Sequence, residues 1–123
     1  MAIQHTVTAE GDTLLVRAWG FDEDLADVQR YGEAVIAGCL AAGCTRVLCD
    51  ESRLEYRLGI LDTYRAATFL AEHAPRVARI ALVCPASGFS DARFWEDVAV
   101  NRGLLVRVFT STDAAKAWLG LTA

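Results

Sequence analysis

The segment Ala78-Arg79-Ile80-Ala81-Leu82-Val83-Cys84 constrains the fold more than any other stretch of the chain. Apart from Arg79 it is apolar throughout, so both of its faces need cover. Such a strand belongs in the middle of a parallel sheet with helices packed on each side. Pro75 stops whatever precedes it, and Pro85 and Gly88 open a loop after it.

The remaining patterns fit around this strand. Ile3, His5 and Val7 alternate with Gln4, Thr6 and Thr8, the period of a half-exposed strand. Glu10-Gly11-Asp12 is a turn signal, and Thr13 to Trp19 reads as a second strand, closing a hairpin. Asp22-Glu23-Asp24 supplies a cap and an acidic first turn. A helix is predicted from there to about Ala42, with Leu25, Val28, Val35, Ile36, Cys39 and Leu40 at mostly helical spacing and Gly43 as its stop. Thr45 to Asp50 reads as a third strand, followed by a polar link from Glu51 to Leu58. The next helix is predicted over Gly59 to His73, with Ile60, Leu61, Tyr64, Ala67, Thr68 and Ala71 on one face. After the apolar strand, Ser90-Asp91 should cap a third helix carrying Phe94, Trp95, Val98 and Ala99 and ending near Arg102-Gly103. Leu104 to Phe109 is a fifth strand, and Ser111-Thr112-Asp113 caps a short last helix through Leu119.

The order is β-β-α-β-α-β-α-β-α. Beyond the hairpin, every strand-to-strand connection passes through a helix, and such crossovers join parallel strands. The predicted class is α/β: a mixed, mostly parallel five-stranded sheet with about four helices and the first strand at or near an edge. The 123 residues suffice for one domain spanning 1–123.

Composition excludes several functions. Sixteen acids against twelve bases give a net charge of −4, and the 11 arginines are scattered, so general nucleic-acid binding is not expected. No apolar run reaches the ~18–20 residues of a membrane span, and the first residues carry no signal-peptide pattern, so the expected location is the cytoplasm. Cys39, Cys44, Cys49 and Cys84 lack paired C-x2-C spacing. They read as reduced, buried thiols, with no metal site and no cofactor.

One resemblance covers the whole chain. Two initial strands followed by α-β-α-β-α-β-α resemble the SpoIIAA-like, or STAS, fold of bacterial anti-sigma-factor antagonists. The ending Val106-Arg107-Val108-Phe109-Thr110-Ser111-Thr112-Asp113-Ala114-Ala115-Lys116-Ala117-Trp118-Leu119 is similar to that of small SpoIIAA-like proteins: a strand closing in Phe, a capped turn, and a helix closing in Ala-Trp-Leu. Val47-Leu48-Cys49-Asp50 stands where the family has its hydrophobic third strand. Phosphorylatable members carry a serine in an Asp-Ser-Ser-Gly-like segment opening the second helix. Here that region is Tyr56-Arg57-Leu58-Gly59-Ile60-Leu61, without serine or threonine, and Ser52 is out of register. The resemblance therefore implies the fold and a binding role, not the phosphoswitch.

In open parallel sheets, ligands gather outside the carboxyl ends of the strands. Those ends bring forward Asp50, Glu51 and Ser52, then Cys84, Pro85 and Ser87, then Thr110 and Ser111. Asp50 and Glu51 are adjacent in an extended segment and point apart, so they make no converging acid–base pair. Their ordinary role is a solvated strand end or an ion pair with Arg53 or Arg57. Cys84 as a nucleophile would need a base, and chain order does not bring His5 or His73 to it. The loop from Pro85 to Ser90 leads into a helix but has one glycine and no lysine, so it matches neither a phosphate loop nor a dinucleotide fingerprint. Tyr56, Tyr64, Phe69, Phe89, Phe94 and Trp95 are expected mostly in the core.

The leading expectation is a non-enzymatic regulatory or interaction module, docking a protein partner through the second helix and its preceding link, with Asp50, Glu51, Ser52, Tyr56 and Arg57 at the contact. The alternative is a small apolar-ligand, lipid-like binding protein. A small enzyme using Asp50 or Cys84 is third. An edge strand leaves a homodimer open as well.

Overall fold

A computed structural model describes residues 2–75 and 78–121. Strands β1 (Ile3–Glu10) and β2 (Thr13–Phe21) form the antiparallel hairpin. Then come α1 (Leu25–Ala42), β3 (Arg46–Glu55), α2 (Ile60–His73), β4 (Arg79–Val83), a 3-10 turn (Ala86–Gly88), α3 (Phe89–Asn101), β5 (Leu105–Phe109) and α4 (Thr112–Leu119). The sheet order is β1-β2-β3-β4-β5, with every pair beyond the hairpin parallel. The predicted class and connectivity hold, and β1 is an edge.

The sheet has unequal faces. Leu14, Val16, Val47, Cys49, Ile80, Leu82, Val106 and Val108 pack against Tyr31, Val35 and Cys39 of α1, Ala67 and Ala71 of α2, and Ala92 and Ala99 of α3. On the other face, Leu48, Ala81 and Val83 meet α4, through Ala115 and Leu119. Both faces of β4 are thus covered, as its composition demands. Arg46 and Arg79 pin the end of α4: Arg46 donates to the carbonyls of Leu119 and Gly120, and Arg79 donates to that of Trp118 at 2.7 Å. Cations suit the negative end of a helix dipole.

Local signals set most ends, with three corrections. Asp24, the last of the predicted capping triplet, caps α1, which starts at Leu25 rather than near Asp22; its carboxylate accepts from the Asp27 N–H at 2.8 Å. Gly43 closes α1 in the left-handed conformation at φ 64°. Ser90 is no cap: α3 begins at Phe89, continuing directly from the 3-10 turn, with Gly88 at its N-cap. On α2, Ala66, Ala67 and Ala71 are buried, whereas Ile60 is 73% exposed, Leu61 57% and Tyr64 40%. Ala67 and Ala71 share a helical stripe with Ile60 and Tyr64, so the predicted face is covered toward the end of α2 and exposed at its start.

A further difference positions the candidate site. β3 runs to Glu55, so the polar segment expected as a link is half strand. Arg17 pairs with Asp50, but Trp19 pairs with Arg53, so β3 holds one extra residue opposite β2. This is a β-bulge. The Asp50 carboxylate holds it by accepting from the Ser52 N–H at 3.0 Å and the Ser52 hydroxyl at 2.6 Å.

Candidate functional site

Before the bulge, alternation carries Val47, Cys49 and Glu51 to the face beneath α1–α3. After it, Leu54 turns to the same side. Glu51 is therefore an interior residue, 6% exposed. This replaces the expected solvated strand end: neither Arg53 nor Arg57 reaches it, and Arg57 pairs instead with Glu55 at 2.9 Å.

Two tyrosines hold the buried carboxyl. Tyr31, projecting from α1, donates to Glu51 Oε2 at 2.9 Å. Tyr56, in the link after β3, donates to Glu51 Oε1 at 2.7 Å. Each oxygen thus accepts one hydroxyl hydrogen. Burial pushes the Glu51 carboxyl up to about 7; the two tyrosine hydrogen bonds oppose this, and the carboxylates of Asp22 and Asp50 add to it. Burial, followed by the Glu51 charge, raises both tyrosines well above the usual phenol range, so they remain donors.

Neighbours fix this arrangement. Tyr31 meets His5 of β1 edge-on, with ring centroids 5.5 Å apart. Tyr56 lies against Gly88, where an added Cβ would stand 2.8 Å from its Cε2. Asp22, just beyond the end of β2, is buried; its carboxylate accepts from the Arg57 N–H, and its own N–H donates to the Glu55 carbonyl. Burial raises the Asp22 carboxyl.

Glu51, Tyr31 and Tyr56 border a cavity of about 130 Å³ between the sheet and α1–α3. Its wall is mainly apolar, with Leu82, Phe69, Leu70 and Trp95 among the larger contributors. Asp91, exposed on the first turn of α3, also lines it, so its rim reaches the surface there. The carboxylates are Asp22, Glu51 and Asp91, and the described lining includes no Lys, Arg or His.

The other anticipated residues lie elsewhere. Asp50 and Ser52 face away from the cavity and serve the bulge. Arg57 is exposed, and its guanidinium lies 3.8 Å from the ring centre of Phe21. Ser87 is exposed in the 3-10 turn. All four cysteines are free and buried. Burial raises the Cys84 thiol, the reverse of what a nucleophile needs. No described group of three or more His, Cys, Asp or Glu side chains is arranged to hold a metal ion. No helix among the described residues is long and apolar enough to cross a membrane.

No protein-family model matches the sequence, and no curated protein matches it significantly. Solved structures do. An anti-sigma factor antagonist from Mycobacterium paratuberculosis superposes with a TM-score of 0.67 at 13% identity, over 96% of this chain and 94% of the other. This is the anti-sigma factor antagonist fold. SpoIIAA in its unphosphorylated form, also an anti-sigma factor antagonist, is similar at a TM-score of 0.55 and 14% identity, covering 98% of this chain and 100% of its own. The SpoIIAA-like topology inferred from element order is thus the topology observed.

Proposed function

We propose that this chain is a non-enzymatic regulatory module of the bacterial cytoplasm that acts by docking a protein partner through the start of α2. The carrying observation is the exposure of Ile60, Leu61 and Tyr64 on its first two turns. Three large apolar or aromatic side chains grouped on one exposed helix end make the kind of patch that partners cover. Arg57 flanks the patch in the preceding link, whereas Asp50 and Ser52 hold the bulge and lie outside this surface. Glu51 and Tyr56 serve this surface from inside, by fixing the link. The fold shared with anti-sigma factor antagonists supports the reading.

Affinity capture from the native host, quantified by mass spectrometry, tests it. A partner recovered in fixed ratio with the wild type should be lost with Ile60→Asp/Leu61→Asp and weakened by Arg57→Glu, while circular dichroism stays unchanged. Recovery unaffected by these substitutions overturns the reading. Sedimentation of the same samples shows whether the partner is a second copy of this chain.

The cavity favours a second reading, that the domain holds a small, largely apolar molecule. A concave, mainly apolar space with a few polar groups is the usual form of a ligand site. Native mass spectrometry tests this: a bound mass that disappears on denaturation supports it.

A further inference from the structure

We infer that the cavity beside Glu51 binds a small organic cation, a primary ammonium group carried on a compact apolar or aromatic body. This rests on the second reading above, that the cavity holds a small molecule. Size limits the body. About 130 Å³ is close to the ~150 Å³ of an engineered apolar cavity that admits benzene. One ring with a short arm fits, and a long acyl chain does not. The wall, with Phe69, Leu70, Leu82 and Trp95, suits such a body.

Charge sets the head group. Asp22 and Glu51 are buried, Asp91 stands at the rim, and the described lining has no basic side chain. An anionic ligand would meet three carboxylates with nothing to offset them. A neutral apolar ligand would fill the wall but add nothing to the two tyrosine hydrogen bonds at the carboxyl. Each Glu51 oxygen accepts one tyrosine hydrogen and has a second acceptor position. An ammonium group brings three donors to that need, and the neighbouring Tyr31, Tyr56 and Trp95 rings are of the type that attracts cations.

The same geometry makes binding depend on pH. Glu51 faces Tyr31 from α1, Tyr56 from the link, Asp22 from the end of β2, Cys49 on its own strand and Cys84 at the end of β4, and Asp91 of α3 borders the same cavity. Burial keeps the carboxyl protonated to about 7, so the anionic form the ammonium needs grows as pH rises through that value. Between about pH 6 and pH 8 the ionised fraction rises about tenfold, and affinity should rise by about the same factor.

The test is a two-dimensional NMR titration of the full chain with benzylamine, benzyl alcohol and benzoate at about pH 6 and pH 8. Benzylamine should bind more tightly than the other two, shift the amides around Glu51, and gain about tenfold in affinity at the higher pH. Glu51→Gln should weaken benzylamine at least about tenfold at the higher pH while leaving benzyl alcohol unchanged. If Glu51→Gln does not fold, the wild-type pH series interrogates the same group. Binding of benzyl alcohol or benzoate as tight as benzylamine, or benzylamine binding independent of pH, overturns the cation and leaves the cavity reading standing. Failure of all three probes overturns both.

Discussion

Replacing Glu51 by glutamine should remove a pH dependence of stability that the buried carboxyl imposes. In the unfolded chain this group releases its proton near 4.5; in the folded protein it holds it to about 7. A carboxyl raised on folding favours the native state when protonated. Its contribution is therefore greatest below about 4.5, falls as pH rises from there to about 7, and levels off above. At about 1.4 kcal/mol per pH unit, the interval between 4.5 and about 7 gives a loss of about 3 kcal/mol. The amide side chain of the Glu51→Gln variant carries no charge to desolvate. Its NH2, however, would meet a tyrosine that donates to the wild-type carboxyl, and that hydroxyl would have to accept instead. This costs about 1 kcal/mol. The variant should thus be slightly less stable than wild type at about pH 5 and about 2 kcal/mol more stable at about pH 8. Urea unfolding followed by the fluorescence of Trp19, Trp95 and Trp118, stepped finely across that range, measures both curves. Asp22 is also raised by burial and imposes a fall of the same sign, whereas Asp12 and Glu55, held low chiefly by Arg46 and Arg57, act oppositely. The difference between the two proteins cancels the Asp12 and Glu55 contributions, and Asp22, whose charge also raises Glu51, keeps its sign in both. Parallel wild-type and variant curves, or a wild type that gains stability relative to the variant as pH rises, would refute the argument.

Three further substitutions probe the frame around the carboxyl. Gly88→Ala would bring a Cβ to 2.8 Å from Tyr56 Cε2; it should cost about 1–3 kcal/mol by overpacking, and a double-mutant cycle should show that cost vanishing in a Tyr56→Ala background. Asp50→Ala removes the acceptor for the Ser52 N–H and hydroxyl; stability should fall by about 1 kcal/mol, and native-state hydrogen exchange should find the Ser52 amide exchanging several-fold faster. Asp24→Ala deletes the N-cap of α1; thermal unfolding should show a loss of about 1 kcal/mol, which Asp24→Ser largely restores.

The frame of the fold is legible in the sequence because its signals are local and mutually consistent. The two-faced apolar run at Ala78–Cys84, the Gly11 turn, the Gly43 stop and the Ser111 cap each act over a few residues, and each holds in the structure. The interior site is not legible, for a definable reason. A bulge adds one residue to β3, so Glu51 and Leu54 face the same side although they are three apart. Strict alternation cannot describe that, and Glu51 to Leu58 reads as a polar link. Two signals are nevertheless present. Asp50 followed two residues later by Ser52 is a pattern suited to a local side-chain bond. In α1, Tyr31 fills the gap between Val28 and Val35 at helical spacing, which sends its hydroxyl inward. On α2 the predicted face holds for Ala67 and Ala71, which are buried, but its first members Ile60, Leu61 and Tyr64 stay exposed at the helix start, because periodicity gives a face and not how far the neighbouring elements cover it.

The cost of the buried carboxyl bears on why it is there. At neutral pH, Glu51 sacrifices about 3 kcal/mol relative to its protonated form, out of the roughly 5–15 kcal/mol typical of a whole domain. The tyrosine hydrogen bonds join α1, β3 and the link before α2, and hydrogen bonds to a charged group contribute about 1.5–3 kcal/mol each. They offset the desolvation without making a carboxyl the best choice, because a glutamine of the same shape bridges the same two hydroxyls without a charge. A purely architectural role predicts that Glu51→Gln keeps every other property of the protein while gaining stability above about pH 7. A ligand-holding role predicts the same gain coupled to loss of cation binding, since only the carboxylate attracts an ammonium group. Stability and binding measured on one variant therefore separate the two roles, and α2 is where they meet: Thr63, Ala66, Phe69 and Leu70 line the cavity while Ile60, Leu61 and Tyr64 face outward from the same helix.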